Sequence, residues 1–152
     1  MTLRPLRYDD ELLEKAKRFC RDNWSAGYVE FSYTASRSLN AKGLPMTWLL
    51  ITDGENPEIV GFYQLTDDVS LEYAKKLSPF LSSIFIAKSL RGKNLGKTLI
   101  AHARKCAQEL GYDSLYLCTN LVGYFEKHGF YRYTVDNARG KPIKILSVSS
   151  GD

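Results

Sequence analysis

Residues 82–99 read Ser82-Ser83-Ile84-Phe85-Ile86-Ala87-Lys88-Ser89-Leu90-Arg91-Gly92-Lys93-Asn94-Leu95-Gly96-Lys97-Thr98-Leu99. An apolar run (Ile84, Phe85, Ile86) gives way to a basic turn containing glycine. Beyond the turn, Leu95, Leu99, Ala103, Cys106 and Leu110 recur three or four residues apart, with Lys97, Arg104, Lys105 and Gln108 between them. That is the period of an amphipathic helix. The order is therefore strand, loop, helix start. A helix start carries unpaired N–H groups and the positive end of a dipole, so it attracts anions. Gly92 and Gly96 let the backbone approach a ligand without a Cβ in the way, and Arg91, Lys93 and Lys97 add full charges. The stretch reads as a phosphate or pyrophosphate seat. Its spacing is neither the G-x-G-x-x-G of dinucleotide folds nor the G-x-x-x-x-G-K-[ST] of a P-loop.

The chain around this stretch has 152 residues, 44% hydrophobic and 25% charged, the balance of a single globular domain over 1–152. No run of 18 apolar residues suggests a membrane span. Met1 to Pro5 lacks a signal-peptide core, and Cys20, Cys106 and Cys118 are too scattered for a disulfide framework or a metal cluster. A cytoplasmic, metal-free protein is expected. The net charge of +4 is concentrated between Lys88 and Lys105, which suits a local anionic ligand rather than a nucleic-acid track.

In order, Thr2–Tyr8 reads as a strand. A helix over Glu11–Asp22, capped by Asp9 or Asp10, follows, then a short helix from Tyr28. Met46–Thr52 and Ile59–Thr66 form a hairpin about the turn Asp53–Pro57. Asp67–Pro79 is a polar connection, with Leu71, Tyr73 and Leu77 on one helical turn. Phe80–Ala87 is the strand into the basic loop, and the next helix stops near Gly111. A strand over Asp113–Cys118, a short helix over Leu121–His128 and strands over Phe130–Val135 and Ile143–Val148 complete the chain, the last two flanking a loop at Asp136–Gly140. The fold class is α/β (α+β) with one mixed central sheet, in the order β-α-α-β-β-β-α-β-α-β-β.

This order and two motifs resemble the GCN5-related N-acetyltransferase (GNAT) family. Arg91-Gly92-Lys93-Asn94-Leu95-Gly96 looks like its R-x-x-G-x-G/A acetyl-coenzyme A loop, with Asn94 in place of the first motif glycine. Asn is the non-glycine residue best suited to left-handed backbone. Phe125-Glu126-Lys127-His128-Gly129-Phe130 is similar to the family's Y-E-K-x-G-F signature, with Phe125 in place of the tyrosine. The resemblance implies direct attack of a primary amine on acetyl-coenzyme A, with no covalent enzyme intermediate. It implies pantetheine contacts from Ile84, Phe85 and Ile86, a pyrophosphate seat over Gly92–Thr98, and further contacts from Asn120 and Phe125.

In the family that tyrosine protonates the departing thiolate, and Phe125 has no proton to give. The acid is then water, Tyr124, or a tyrosine near the cleft (Tyr116 or Tyr33). One step along a helix turns a side chain by about 100°, so Tyr124 is expected to point away from the Phe125 direction. Glu30, Asp67, Asp68 and Glu72 are the carboxylates expected to border the acceptor site, any of which could take a proton through water. Trp24, Tyr28 and Tyr33 are candidates for an amine pocket, the acceptor being a small molecule or a peptide amine. His102 reads as solvated, His128 as surface, and Cys118 as a buried inert thiol. Exposed strands near the C-terminus would suit a homodimer. The second functional reading is a coenzyme A-binding module that has lost its chemistry at Phe125.

Overall fold

The computed structural model describes residues 1–67 and 77–151. Seven strands form one sheet in the order β1-β2-β3-β4-β5-β7-β6. They are β1 (Thr2–Pro5), β2 (Met46–Ile51), β3 (Ile59–Thr66), β4 (Phe80–Ile86), β5 (Ser114–Thr119), β6 (Tyr131–Ala138) and β7 (Lys141–Ser149). The helices are α1 (Asp10–Asn23), α2 (Tyr28–Ser38) and α3 (Leu95–Glu109). The element order matches the one expected. Asp68, Leu71, Glu72 and Tyr73 lie outside the described residues.

Helix α1 starts where the sequence caps it. The Asp9 carboxylate accepts from the Leu12 amide at 3.0 Å and from the Arg4 guanidinium at 3.0 Å. With α2 it buries Leu12, Leu13, Ala16, Phe31 and Ala35 against Leu49 and Phe62 of the sheet and Leu6 just past β1. Helix α3 covers the opposite face, where Leu99, Ile100 and Ala103 meet Leu50, Tyr63, Leu65, Leu81, Leu115, Leu117 and Leu146. The sheet is thus a middle layer with apolar side chains on both faces.

Two expectations are corrected. The helix over Leu121–His128 is a single 3-10 turn, Glu126–His128, between Gly123 (φ +83°) and Gly129 (φ +92°). Both glycines take left-handed backbone, which no α-helix continues through. The loop over Asp136–Gly140 is mostly strand: Asp136 pairs with Ile143, Asn137 with Pro142 and Ala138 with Lys141. Only Arg139 (φ +53°) and Gly140 (φ +78°) turn the chain, two positive-φ residues whose twist suits a tight hairpin. Cross-strand pairing outweighs the turn preference of Asp136 and Asn137.

Strands β1 to β4 are antiparallel, but β4 and β5 run parallel and are paired only at Phe80 and Tyr116. The Tyr116 amide donates to the Pro79 carbonyl at 3.0 Å. Past that point the two strands part. On its other side β4 stays registered to β3, Phe85 opposite Phe62 and Ile84 opposite Tyr63.

Gly61 permits this close pairing, because a Cβ there would stand 2.8 Å from the Phe85 carbonyl oxygen. Gly61→Ala should force β3 from β4, cost about 1–3 kcal/mol and lower Tm by several degrees in thermal unfolding. An unchanged Tm would show that the two strands have slack.

Candidate active site

The parting of β4 from β5 makes the site. Gln64 of β3 pairs with Ser83 and Leu65 with Leu81, so Ser82 is an extra, bulged residue in β4. Beyond the bulge, Ile84, Phe85 and Ile86 are registered to Tyr63, Phe62 and Gly61 of β3, and no described residue of β5 pairs with their other edge. That edge keeps backbone donors and acceptors for a ligand.

A cavity of about 800 Å³ opens beside it. Ile84, Phe85 and Ile86 line one wall, and Arg91, Gly92, Asn94, Leu95, Gly96 and Lys97 line the end at the start of α3. Leu121, Tyr124, Phe125, Lys127 and His128 supply the facing wall. The structure therefore brings together most of the residues singled out for a cofactor. Lys93, Thr98 and Asn120 are exposed and outside the lining, while Leu90, Leu121, Lys127 and His128 join it unannounced.

The α3 end is built for an anion. Asn94 takes the left-handed conformation (φ +61°, ψ +17°), and its side chain makes no capping hydrogen bond. The Thr98 amide and hydroxyl both donate to the Asn94 carbonyl, at 3.2 and 3.3 Å. The N–H groups of the first turn therefore have no side-chain acceptor from the N-cap. Arg91 is folded back rather than extended. Its Nε donates to the Ile86 carbonyl at 3.0 Å and its guanidinium lies 5.2 Å from the Phe85 ring centroid. Phe85 in turn stacks on Trp24, centroids 5.6 Å apart and planes 7° from parallel.

Phe125 is buried, edge-on to Phe130 (5.9 Å) and Tyr124 (4.9 Å). Tyr124, 38% exposed, shares the cavity wall with it. The helical-step argument for Tyr124 fails because these residues lie in a turn and not in an α-helix. His128 is held below the usual imidazole range by burial and then by the Lys127 and Lys97 charges. His102 is not solvated: Tyr63 Oη lies 2.6 Å from its Nδ1, Trp48 meets it edge-on at 4.5 Å, and burial lowers its pKa.

The three aromatic candidates for an acceptor pocket do not meet in one place. Trp24 lies in the α1–sheet core between Phe62 and Phe85, and Tyr28 packs on the same cluster. Tyr33 is exposed, with the Arg37 guanidinium 5.4 Å from its centroid, and Arg37 also reaches Asp67 at 3.7 Å. On the α1–α2 side of the parted strands, Cys118, Tyr116, Ile143 and Ile145 form a small apolar floor with Phe80. Asp136 and Glu30 are close enough to Cys118 to act on it electrostatically. Among the described residues no group of three His, Cys, Asp or Glu side chains is placed to hold a metal ion, and no helix is long and apolar enough to cross a membrane.

The site thus sits where a seven-stranded mixed sheet splits at one parallel pair beside an uncapped helix start. The model of the acetyltransferase (GNAT) family matches residues 10–130, and the chain belongs to that family. It is 32% identical over 104 residues to the peptidyl-lysine N-acetyltransferase YjaB of Salmonella typhimurium, a match spanning 66% of this chain and 62% of the relative. Among solved structures it is similar to the aminoglycoside 6'-N-acetyltransferase from Enterococcus faecium (TM-score 0.73, 18% identity, 99% of this chain and 97% of that one). An aminoglycoside 6'-N-acetyltransferase complexed with coenzyme A is equally similar in fold (TM-score 0.73, 17% identity, 99% and 97% covered).

Burial first, then the Asp136 and Glu30 charges, pushes the Cys118 thiol up to about 11. The neutral thiol is favoured, and a nucleophilic role is disfavoured. Iodoacetamide at pH 8 should modify Cys118 roughly a hundredfold more slowly than free cysteine, the rate rising with pH toward 11. Labelling at the free-cysteine rate, read by peptide mass spectrometry, would contradict this.

Proposed function

We propose that this chain is an N-acetyltransferase that moves an acetyl group from acetyl-coenzyme A to a primary amine. The observation that carries the reading is the cavity in which the open edge of β4 meets the uncapped start of α3. The edge of Ile84–Ile86 that β5 leaves unpaired suits the amides of a pantetheine arm, with the Ile86 carbonyl already held by Arg91 Nε, and the N–H groups at Leu95–Lys97 suit a diphosphate. Lys97 and Lys93 supply charge at that corner.

The thioester is the activated acyl donor. Held at the mouth between β4 and β5, it meets an amine arriving from the Cys118–Tyr116 floor. The nitrogen attacks the carbonyl carbon, an N–C bond forms, the C–S bond breaks, and the sulfur leaves as a thiolate. The amine must lose a proton first. Glu30 and Asp136, the carboxylates whose charges reach Cys118, are the groups to take it through water. As the amide forms, the nitrogen sheds its second proton and the thiolate takes it up through water, since Phe125 carries no proton to give. Most of the acceleration then comes from placing amine and thioester together rather than from acid catalysis. The Tyr116 ring at the floor and the Glu30 and Asp136 charges that reach Cys118 there favour a cationic acceptor. The relative named above is a peptidyl-lysine acetyltransferase and the solved structures act on aminoglycosides, so amines in peptides and in small molecules are the classes to test.

The test is calorimetry with acetyl-coenzyme A, followed by thiol release across a panel of primary amines. Binding with turnover of at least one amine is expected. No binding, or binding without turnover on any amine, overturns the reading, and the latter result leaves a coenzyme A-binding module. In the same assay Phe125→Tyr restores a proton donor and should raise turnover about tenfold or more. Unchanged turnover would show that protonation of the thiolate does not limit the wild-type rate.

A further inference from the structure

We infer that Tyr124 is a cofactor-positioning residue: its hydroxyl closes over the first turn of α3 and completes the seat for the coenzyme's diphosphate. This rests on the reading of the cavity as the coenzyme site.

The geometry is unusual in one respect. A Cβ built on Gly96, in the first turn of α3, would stand 2.9 Å from Tyr124 Oη. Among the described residues no other atom outside the local chain comes within 4 Å of that point. Tyr124 belongs to the facing wall, so its ring spans the cavity from the β5–β6 connection to the helix start. Gly96 leaves room for the hydroxyl, and any side chain there would push it away.

The seat lacks a group that Tyr124 can supply. Asn94 gives no side-chain cap, and around Gly92 there is nothing within 4 Å of a built Cβ. The first-turn amides are donors at fixed positions. A hydroxyl accepts as well as donates. It can therefore shield those amides while the seat is empty and donate to a phosphate oxygen when it is filled. The ring is already held for the purpose: Phe125 meets it edge-on at 4.9 Å, His128 at 5.5 Å, and the Lys127 ammonium lies 4.7 Å from its centroid. Little freedom remains to be lost on binding. Lys127 brings a further positive charge to the same side of the seat.

The position also separates Tyr124 from the acid role. Its hydroxyl stands at the α3 end of the cavity, whereas the β4 bulge at Ser82, where the strands begin to part, lies beyond Ile84 at the start of the open edge. Tyr124 thus reads the nucleotide end of the thioester. It selects carriers that bear a diphosphate over those that end at pantetheine.

The test compares wild type and Tyr124→Phe in calorimetric titrations with coenzyme A, 3'-dephospho-coenzyme A and pantetheine. Loss of one hydrogen bond to a charged group should weaken coenzyme A about tenfold. The same loss is expected for dephospho-coenzyme A, which keeps the diphosphate, and pantetheine should bind both proteins alike. Equal affinity of the two proteins for coenzyme A overturns the assignment. A loss confined to coenzyme A moves the contact to the 3'-phosphate and also overturns it. A loss shared by pantetheine marks a structural fault in the wall and counts against it. Failure of the wild type to bind coenzyme A would instead sink the function proposed above, and this inference with it.

Discussion

Strands β4 and β5 share one pair, Phe80 with Tyr116, and then separate. A parallel pair that continued would satisfy the backbone of both strands and leave nothing for a ligand. Divergence leaves the β5-facing edge of Ile84–Ile86 without a ladder partner, in the middle of an otherwise paired sheet. Such an edge is costly in a folded protein unless something else bonds to it. The chain supports the opening from both faces. Leu81, Leu99, Leu115 and Leu117 pack beneath it on the α3 side, and Phe80, Tyr116, Cys118 and Ile145 pack on the other. The cleft is therefore a consequence of how two cores meet.

The corner at the start of α3 depends on that opening. The loop that follows β4 begins with a 3-10 turn, Lys88–Leu90, and ends at Asn94 in a left-handed conformation. That conformation ends the loop, and the first residues of the helix, Leu95, Gly96 and Lys97, line the end of the cavity. Arg91, drawn back onto Phe85 and Ile86, fixes the loop to the strand that lines the opening. Phe85 passes the contact on to Trp24 at the junction of α1 and α2. Trp24 packs where the helical layer meets the strand that borders the cavity.

Much of this was legible in the sequence, for physical reasons that can be named. Ile84–Ile86 and the Leu95–Leu110 repeat carry unambiguous strand and helix periods. Asn94 could be read as left-handed because few other side chains tolerate that region, and it lies there at φ +61°. The β5–β6 connection was not legible. Leu121–His128 has helical composition, yet Gly123 and Gly129 reduce it to one 3-10 turn, which aims Tyr124 and Phe125 at the same cavity. No local rule reveals that Tyr124 reaches Gly96, since the contact joins residues 28 positions apart in the chain. The acceptor side was the least readable. Trp24, Tyr28 and Tyr33 look alike as aromatics, and only the packing of α1 and α2 decides which is core and which faces solvent.

The central claim is that the open edge of β4 and the first turn of α3 together receive acetyl-coenzyme A. Amide hydrogen exchange with and without that ligand, read by mass spectrometry, addresses it directly. Protection should appear in peptides covering Ile84–Ile86 and Leu95–Lys97, with little change in the β6–β7 hairpin. Binding that left both stretches exchanging as before, and protected another part of the chain, would contradict the account.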